Sequence, residues 1–417
     1  MPHTPRFAGR VRAVGRGGDA VVETSEGVVL APGGLPGEQV ELERTRSKRG
    51  ALRGKVTRVL ERAPGRREPP CAVAHRCGGC PLMIAEMALQ RRIKEGFLHE
   101  ACEGLPGASD SELVWIAAPD ELGYRRRARL AWYGQTFGYR QRNATRVVDI
   151  ERCIVLAEPL QRAWDATREH LRASIAGQGE IQLSLSGEAV VVELQALAEQ
   201  SPELFEACGE LSRTTGIRGV SLRTGDTGTP AVWGEARAAA RAHDQSILWG
   251  PAGSFSQAND RINRMLVEHV VALAEPEGMR VLELHCGIGN FTVALAEVAA
   301  TLVAVEQDAS AVEACRANLA ARRLEARVVE GDASRPPKGR YDVVVLDPPR
   351  QGAKNLFEEA CFWRGTRRIV YVSCDTATLG RDLRLARDRG YRIDRMIAFD
   401  MFPQTAHLES LVRLVPR

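Results

Sequence analysis

The sequence predicts an α/β protein: a Rossmann-like, doubly wound sheet in the C-terminal part, a central α+β region, and a small OB-like β-barrel at the N-terminus. Three observations carry this. After Ile247 apolar strand runs alternate with helical runs, and the first sixty or so residues hold closely spaced short strands. Between them, period-two runs read as antiparallel hairpins packed on one face. The 417 residues, 44% of them hydrophobic, suffice for two or three domains, and composition shifts place the boundaries at 1–62, 63–247 and 248–417.

In the first part, "DAVVET", "VVLAP", "EQVELERT" and "RGKVTRVLER" read as strands, with turns at Ser25-Glu26-Gly27 and at "SKRG". So many strands over about sixty residues suggest a small closed barrel, of the kind that binds oligonucleotides on one open face. Charge agrees. From Met1 to Glu68 there are fourteen Lys and Arg against eight Asp and Glu, whereas the whole chain carries only +4. Such a surface attracts phosphate backbones, although a structural or protein-contact role for the barrel is the alternative.

Next comes "PPCAVAHRCGGCPLM", in which Cys71, Cys77 and Cys80 follow a C-x5-C-x2-C spacing. Gly78 and Gly79 let the backbone fold closely, so three thiolates can converge on one centre. No second close pair of the zinc type follows. The plausible fourth thiol is the distant Cys153 in "DIERCIVL", which suits an iron-sulfur cluster better than zinc. A zinc site completed by His75, or unligated thiols, are the other readings. Ten cysteines in a chain with no apolar signal segment argue for metal or catalytic thiols among buried ones, and against a disulfide framework. No membrane span is expected, so the location read from the sequence is cytoplasmic.

From Pro81 to about Leu105 the pattern is helical, with Ile84, Met87, Ile93 and Phe97 on one face. "RRARLAWYG" and "IQLSLSGEAVVVELQAL" then alternate as strands. Arg125, Arg126, Arg127 and Arg129 form a basic edge that with Tyr133 and Tyr139 could grip an RNA strand, or be a solvated face.

Beyond Ile247, strands "RVLELH", "TLVAVE", "ARVVEG", "YDVVVLD" and "RRIVYVS" alternate with helices beginning near Asn290, Ala309, Ala353 and Thr376. Ligands of such sheets bind at the C-terminal strand ends. The first end carries "ELHCGIGNF", and the second ends in Glu306, placed to accept ribose hydroxyls. Thr292 leaves the dinucleotide fingerprint incomplete, which favours S-adenosylmethionine, a cofactor without a pyrophosphate. The fourth strand ends in Asp347-Pro348-Pro349-Arg350, where amino-methylating enzymes carry an aromatic in place of Arg350. The fifth delivers Cys374 to the same edge.

Together, "SFSQAN", "LHCGIGNFT", "LDPPR", "VSCDTATLGRDL" and "HLESLVRL", with the cysteine motif, resemble the RNA uracil-C5 methyltransferases. The likeness is greatest to the bacterial 23S rRNA branch, which carries a TRAM barrel and a 4Fe-4S cluster. The resemblance implies that Cys374 adds to C6 of uracil, making C5 nucleophilic, and that Glu409 removes the C5 proton, with His407 nearby. By the same motifs it assigns Gln257, His285, Asn290, Glu306, Asp332 and Asp347 to S-adenosylmethionine, and Cys71, Cys77, Cys80 and Cys153 to the cluster. Asn290 as a helix cap and Asp332 as a turn residue are the plainer alternatives. Three positions depart from the family pattern: His285 replaces an aromatic, Thr376 a proline, and Met83 a glutamine. The implied partner is RNA, rRNA or else tRNA, with no obligate protein partner. The alternatives are amino methylation of a base, which needs no Cys374, and a non-catalytic RNA-binding factor of the same fold.

Overall fold

The structure, a computed structural model, describes residues 6–45, 52–142, 144–225, 228–359 and 365–417. The turn expected at "SKRG" lies outside the described residues. The chain divides into two compact units. One comprises Met1–Phe97, Gly138–Ile150 and Phe402–His407; the other comprises Leu98–Phe137, Glu151–Met401 and Leu408–Arg417.

The first unit opens with strands β1 (Arg6–Val14), β2 (Ala20–Thr24), β3 (Gly27–Ala31), β4 (Gln39–Thr45) and β5 (Leu52–Glu61). They close into a barrel in the order β1-β2-β3-β5-β4, because β1 pairs with both β2 and β4. Val11, Val22, Val29, Val40 and Leu42 alternate into its core. The sequence reading does not pick out β1. Its inward positions include Gly9, where an added Cβ would press on the Glu23 carbonyl, so that position carries no apolar side chain. Helix α1 (Met87–Cys102) begins later than expected, since Pro81–Glu86 are spent on turns.

The central stretch supplies β6 (Leu113–Ile116), β7 (Arg127–Tyr133), β8 (Thr136–Arg140), β9 (Val147–Asp149), α2 (Glu158–Leu171), β10 (Gln178–Ser186), β11 (Ala189–Ala196), α3 (Pro202–Ser212), β12 (Ile217–Thr224), β13 (Ala231–Gly234), β14 (Ala238–Arg241) and β15 (Ile247–Gly250). In the second unit β13, β12, β11, β10 and β7 lie side by side. Their apolar face, with Ile181, Leu183, Val192 and Leu194 buried, is covered by α2 and α3. The opposite face carries Arg129, Glu180, Gln182, Glu193 and Arg223.

The remaining elements are α4 (Asp260–Ala274), β16 (Arg280–Leu284), α5 (Thr292–Ala296), β17 (Thr301–Glu306), α6 (Ala309–Ala320), β18 (Arg327–Glu330), β19 (Val343–Leu346), α7 (Lys354–Glu359), β20 (Arg368–Ser373), α8 (Thr376–Asp388), β21 (Tyr391–Phe399) and β22 (Glu409–Pro416). They build the Rossmann-like sheet, in the order β18-β17-β16-β19-β20-β22-β21-β6. β16 to β20 run parallel and the central β19 is wholly apolar, as a strand covered on both faces must be. β22 enters antiparallel between β20 and β21, and β6, from far upstream, adds parallel to β21. Among the described residues no helix is long and apolar enough to cross a membrane.

Candidate active site

The parallel strands deliver their C-terminal ends to one edge, where side chains leave the sheet and meet open space. After β16 the chain turns through His285 at φ 63°, then Gly287 at 55° and Gly289 at 102°, left-handed conformations that two glycines make possible. An added Cβ at Gly289 would crowd Cys315 Sγ at 3.2 Å, whereas one at Gly287 would meet nothing within 4 Å. Glu306 closes β17. Its carboxylate accepts the backbone N–H groups of Gly287 at 3.0 Å, Gln307 at 2.8 Å and Asp308 at 3.1 Å.

This edge lines a cavity of about 380 Å³ whose wall includes Gln257, His285, Asn290, Glu306 and Asp347. Its volume falls in the range of small-ligand sites, and its mixture of apolar Ile288 and Phe291 with fixed carboxylates fits an adenosyl ligand. Five of the six sequence-assigned cofactor residues therefore meet here. Asp332 does not line the cavity. It accepts from the Ser334 N–H and hydroxyl, which hold its carboxyl below the usual range, and its charge opposes the effect of burial on His285. Burial lowers the pKa of His285, against the charges of Glu306 and Asp332. Asn290 does not cap α5; it exchanges amide hydrogen bonds with Asn263 at 2.9 and 3.0 Å.

Two strands along, the edge changes character. β20 pairs Ser373 with Ser410 of β22, so Cys374, just beyond one strand, and Glu409, at the start of the other, face each other. Cys374 is held between the Ser373 hydroxyl, which donates to the Asp375 carbonyl at 3.0 Å, and Asp375, whose side chain caps α8. Burial pushes its thiol up to about 12, with the charges of Glu409 and Asp347 adding to the effect and Arg350 opposing it. Glu409 is 2% exposed, and its Oε1 has no hydrogen-bond partner among the described residues. Burial and the charge of Asp347 hold its carboxyl well above the usual range, again against Arg350. Burial also raises Asp347, to about 7. His407 is exposed, its ring edge-on to Phe402 at 5.9 Å.

The sequence notes Arg350 only as a missing aromatic; the structure makes it a cation felt by both Cys374 and Glu409. Its loop is fixed from α8. The buried Asp382 accepts from the Ala353 N–H at 2.6 Å and the Tyr371 hydroxyl at 2.7 Å, while Arg381 donates to the Gln351 carbonyl at 2.8 Å. Phe255, also unassigned from the sequence, is 69% exposed on the cavity wall, with the Arg127 guanidinium 5.6 Å from its ring centre. The expected basic edge is thus partly internal. Arg126 pairs with Asp260, Arg127 donates to Gln182 at 2.8 Å and to the Gly253 carbonyl at 3.3 Å, and Arg129 stays exposed.

Cys71, Cys77 and Cys80 lie in the first unit and Cys153 in the second. Each of the three is half-buried and sits in its own backbone turn: the Cys71 carbonyl accepts from Ala74, the Cys77 N–H donates to Val73, and the Cys80 carbonyl accepts from Met83. The Gly79 N–H donates to Cys77 Sγ at 3.4 Å, and Gly78 donates to the Arg140 carbonyl at 3.1 Å, where a Cβ would not fit. Among the described residues no group of three or more His, Cys, Asp or Glu is gathered to hold a metal ion.

Residues 245–362 match the methyltransferase small domain family, and residues 338–417 match the tRNA (uracil-5-)-methyltransferase family. The chain is 33% identical to the 23S rRNA (uracil(1939)-C(5))-methyltransferase RlmD of Pectobacterium atrosepticum, over 94% of this chain and 90% of that protein. It is 34% identical to the enzyme of the same name from Pseudomonas entomophila, over 91% and 87%. Its fold matches the crystal structure of a Pyrococcus abyssi tRNA (uracil-54, C5)-methyltransferase in complex with S-adenosyl-L-homocysteine, with a TM-score of 0.78, 23% identity, and coverage of 98% and 99% of the two chains. With relatives this similar along nearly the whole of its length, the chain belongs to the family of 23S rRNA uracil-C5 methyltransferases.

Proposed function

We propose that this protein methylates C5 of a uridine in 23S rRNA with S-adenosylmethionine, through a covalent bond between Cys374 and C6. The observation that carries the reading is the β20/β22 register, which sets a thiol opposite a buried carboxyl beside Asp347 of the cavity wall. Gln257, His285, Asn290, Glu306 and Asp347 hold the cofactor, and Asp332 tunes His285. When bound, S-adenosylmethionine supplies a methyl group on a sulfonium, an electrophile that a resting uracil C5 cannot attack.

The protein's part is to make C5 a nucleophile and then to restore the ring. As Cys374 Sγ bonds to C6, its proton leaves to a neighbouring carboxylate, Asp347 being held near neutrality for such an exchange. The C5–C6 π pair moves into the ring as an enolate. Once C5 is methylated, Glu409 in its carboxylate form takes the C5 proton; the double bond re-forms and the thiolate leaves. Arg350 favours the charged forms of both Cys374 and Glu409, offsetting the burial that holds them protonated. The target base must leave its stack to reach this edge, and loop RNA makes that cheapest.

The barrel at 1–62, as a TRAM module, and the central region at 63–247 are read as RNA-binding parts and 248–417 as the catalytic part, working on RNA in the cytoplasm. Cys71, Cys77, Cys80 and Cys153 are read as ligands of a 4Fe-4S cluster; the spacing and the Gly79 N–H on Cys77 Sγ support this, and no step above depends on it. Anaerobically purified protein should then be brown, with about four iron and four sulfide per chain; zinc without iron overturns the assignment.

The function is tested by incubating the purified protein with 23S rRNA and tRNA and mapping modified nucleosides by mass spectrometry. 5-Methyluridine in 23S rRNA is the expected product. Product in tRNA alone moves the substrate, a methylated amino group moves the chemistry, and no product in either RNA defeats the enzymatic reading.

A further inference from the structure

Glu409 begins β22 only nine residues after Asp400, and the intervening turn is built around Gln404. That residue is fully buried and stands at φ 70°, a left-handed conformation that a non-glycine adopts only where its surroundings hold it. Hydrogen bonds among the described residues do so. The Gln404 carbonyl accepts the Leu82 N–H at 2.9 Å, and its N–H donates to Gln90 Oε1 at 2.9 Å. Its side-chain Oε1 accepts from Gln90 Nε2 and from Arg67 Nη2, both at 2.9 Å. Close by, the fully buried Lys94 donates to the Phe402 carbonyl at 3.0 Å.

A buried polar cluster of this size adds little stability over well-packed apolar residues, but it specifies one geometry. Leu82 lies two residues after Cys80, and Arg67 also donates to the Met83 carbonyl at 3.2 Å. The turn that leads into Glu409 is therefore tied to the loop that carries Cys77 and Cys80. Phe402–His407 accordingly belongs to the first compact unit, although β21 and β22 on either side belong to the second.

We propose that Gln404 is a positioning residue for the proton-removal step: its bonds to Leu82, Arg67 and Gln90 set where β22 begins, and so couple the order of the cysteine loop to the placement of Glu409. This rests on the covalent reading above. It predicts an effect concentrated in the second half of the reaction, because Cys374 is delivered by β20 and α8, whereas the bonds of Gln404 run to Leu82, Arg67 and Gln90 and lead into Glu409.

The test compares wild type with Gln404→Ala and with the milder Arg67→Met, which removes the Arg67 bonds to Gln404 and to the Met83 carbonyl and keeps the apolar stem. RNA containing 5-fluorouridine should trap all three proteins at similar rates as adducts on a denaturing gel, since fluorine cannot leave as a cation. With ordinary RNA, Gln404→Ala should accumulate adduct and release 5-methyluridine about a hundredfold more slowly, the scale of a small misplacement of a reacting group. Arg67→Met should show the same pattern more weakly, and it carries the test alone if Gln404→Ala does not fold. Equal slowing of trapping and release, or no slowing of either, overturns the inference. A wild type that forms no fluorouridine adduct overturns instead the covalent reading beneath it.

Discussion

The two halves of the strand-end edge treat their ionisable groups in opposite ways. On the cavity wall Glu306 takes three backbone N–H groups, and outside it Asp332 takes two bonds from Ser334; each carboxylate is satisfied and oriented before any ligand arrives. At the thiol, Glu409 keeps an oxygen without a hydrogen-bond partner among the described residues in a buried site, the charges of Glu409 and Asp347 push Cys374 up, and that of Asp347 pushes Glu409 up. The first arrangement is built to bind, because preformed partners lower the cost of fixing a ligand. The second is built to react, because groups held away from their preferred charge state gain most when a proton or bond moves.

If that division is right, changes at the thiol end should strike turnover and spare binding. Cys374→Ala should lower methyl transfer by roughly 10^4-fold or more, the scale for losing a nucleophile, while calorimetry finds S-adenosylmethionine affinity unchanged. Substantial activity in this variant would identify the thiol as packing and bring amino methylation forward. Glu409→Gln should cost roughly 10^2- to 10^4-fold, and it should fail later, with a covalent protein–RNA adduct accumulating.

At the other end, Glu306→Ala should weaken S-adenosylmethionine binding by roughly ten- to a hundredfold, the worth of charge-assisted hydrogen bonds, and leave the rate at saturating cofactor within a small factor. An unchanged affinity with a collapsed rate would erase the contrast between the two ends.

The smallest effect tests the electrostatics that join them. Arg350 lowers the pKa of both Cys374 and Glu409, so Arg350→Met should move both groups further up. Both must lose protons for turnover. The pH–rate profile should therefore shift toward higher pH, with about a tenfold loss near neutrality that is recovered roughly one pH unit higher. A loss that is the same at every pH would mean that Arg350 acts by contact with RNA rather than by its charge.

The alternating run of strands and helices after Ile247 was legible because each parallel strand is a short apolar block bounded by turn residues, a local property. Cys374 beside Asp375 was legible for the same reason, as a strand end followed by a capped helix. β1 was not, because Gly9 occupies an inward position and only its neighbours on β2 explain why. Nor was β6, whose four residues gain meaning by pairing with β21, nearly three hundred residues downstream.

Residue types and their order along the chain therefore determined the Rossmann-like sheet and the place of Cys374 at a strand end, since these depend on periodicity, while the resemblance of the motifs implied the roles of Cys374 and of the cofactor residues. Only the tertiary structure decided that β22 returns antiparallel beside β20 and so faces Glu409 with Cys374. It alone placed the Arg350 charge on both groups and closed the Gln404 clasp on Leu82, Arg67 and Gln90. Charge and hydrogen bonding act through space over a few ångströms, and residues more than three hundred positions apart become neighbours only once the chain has folded.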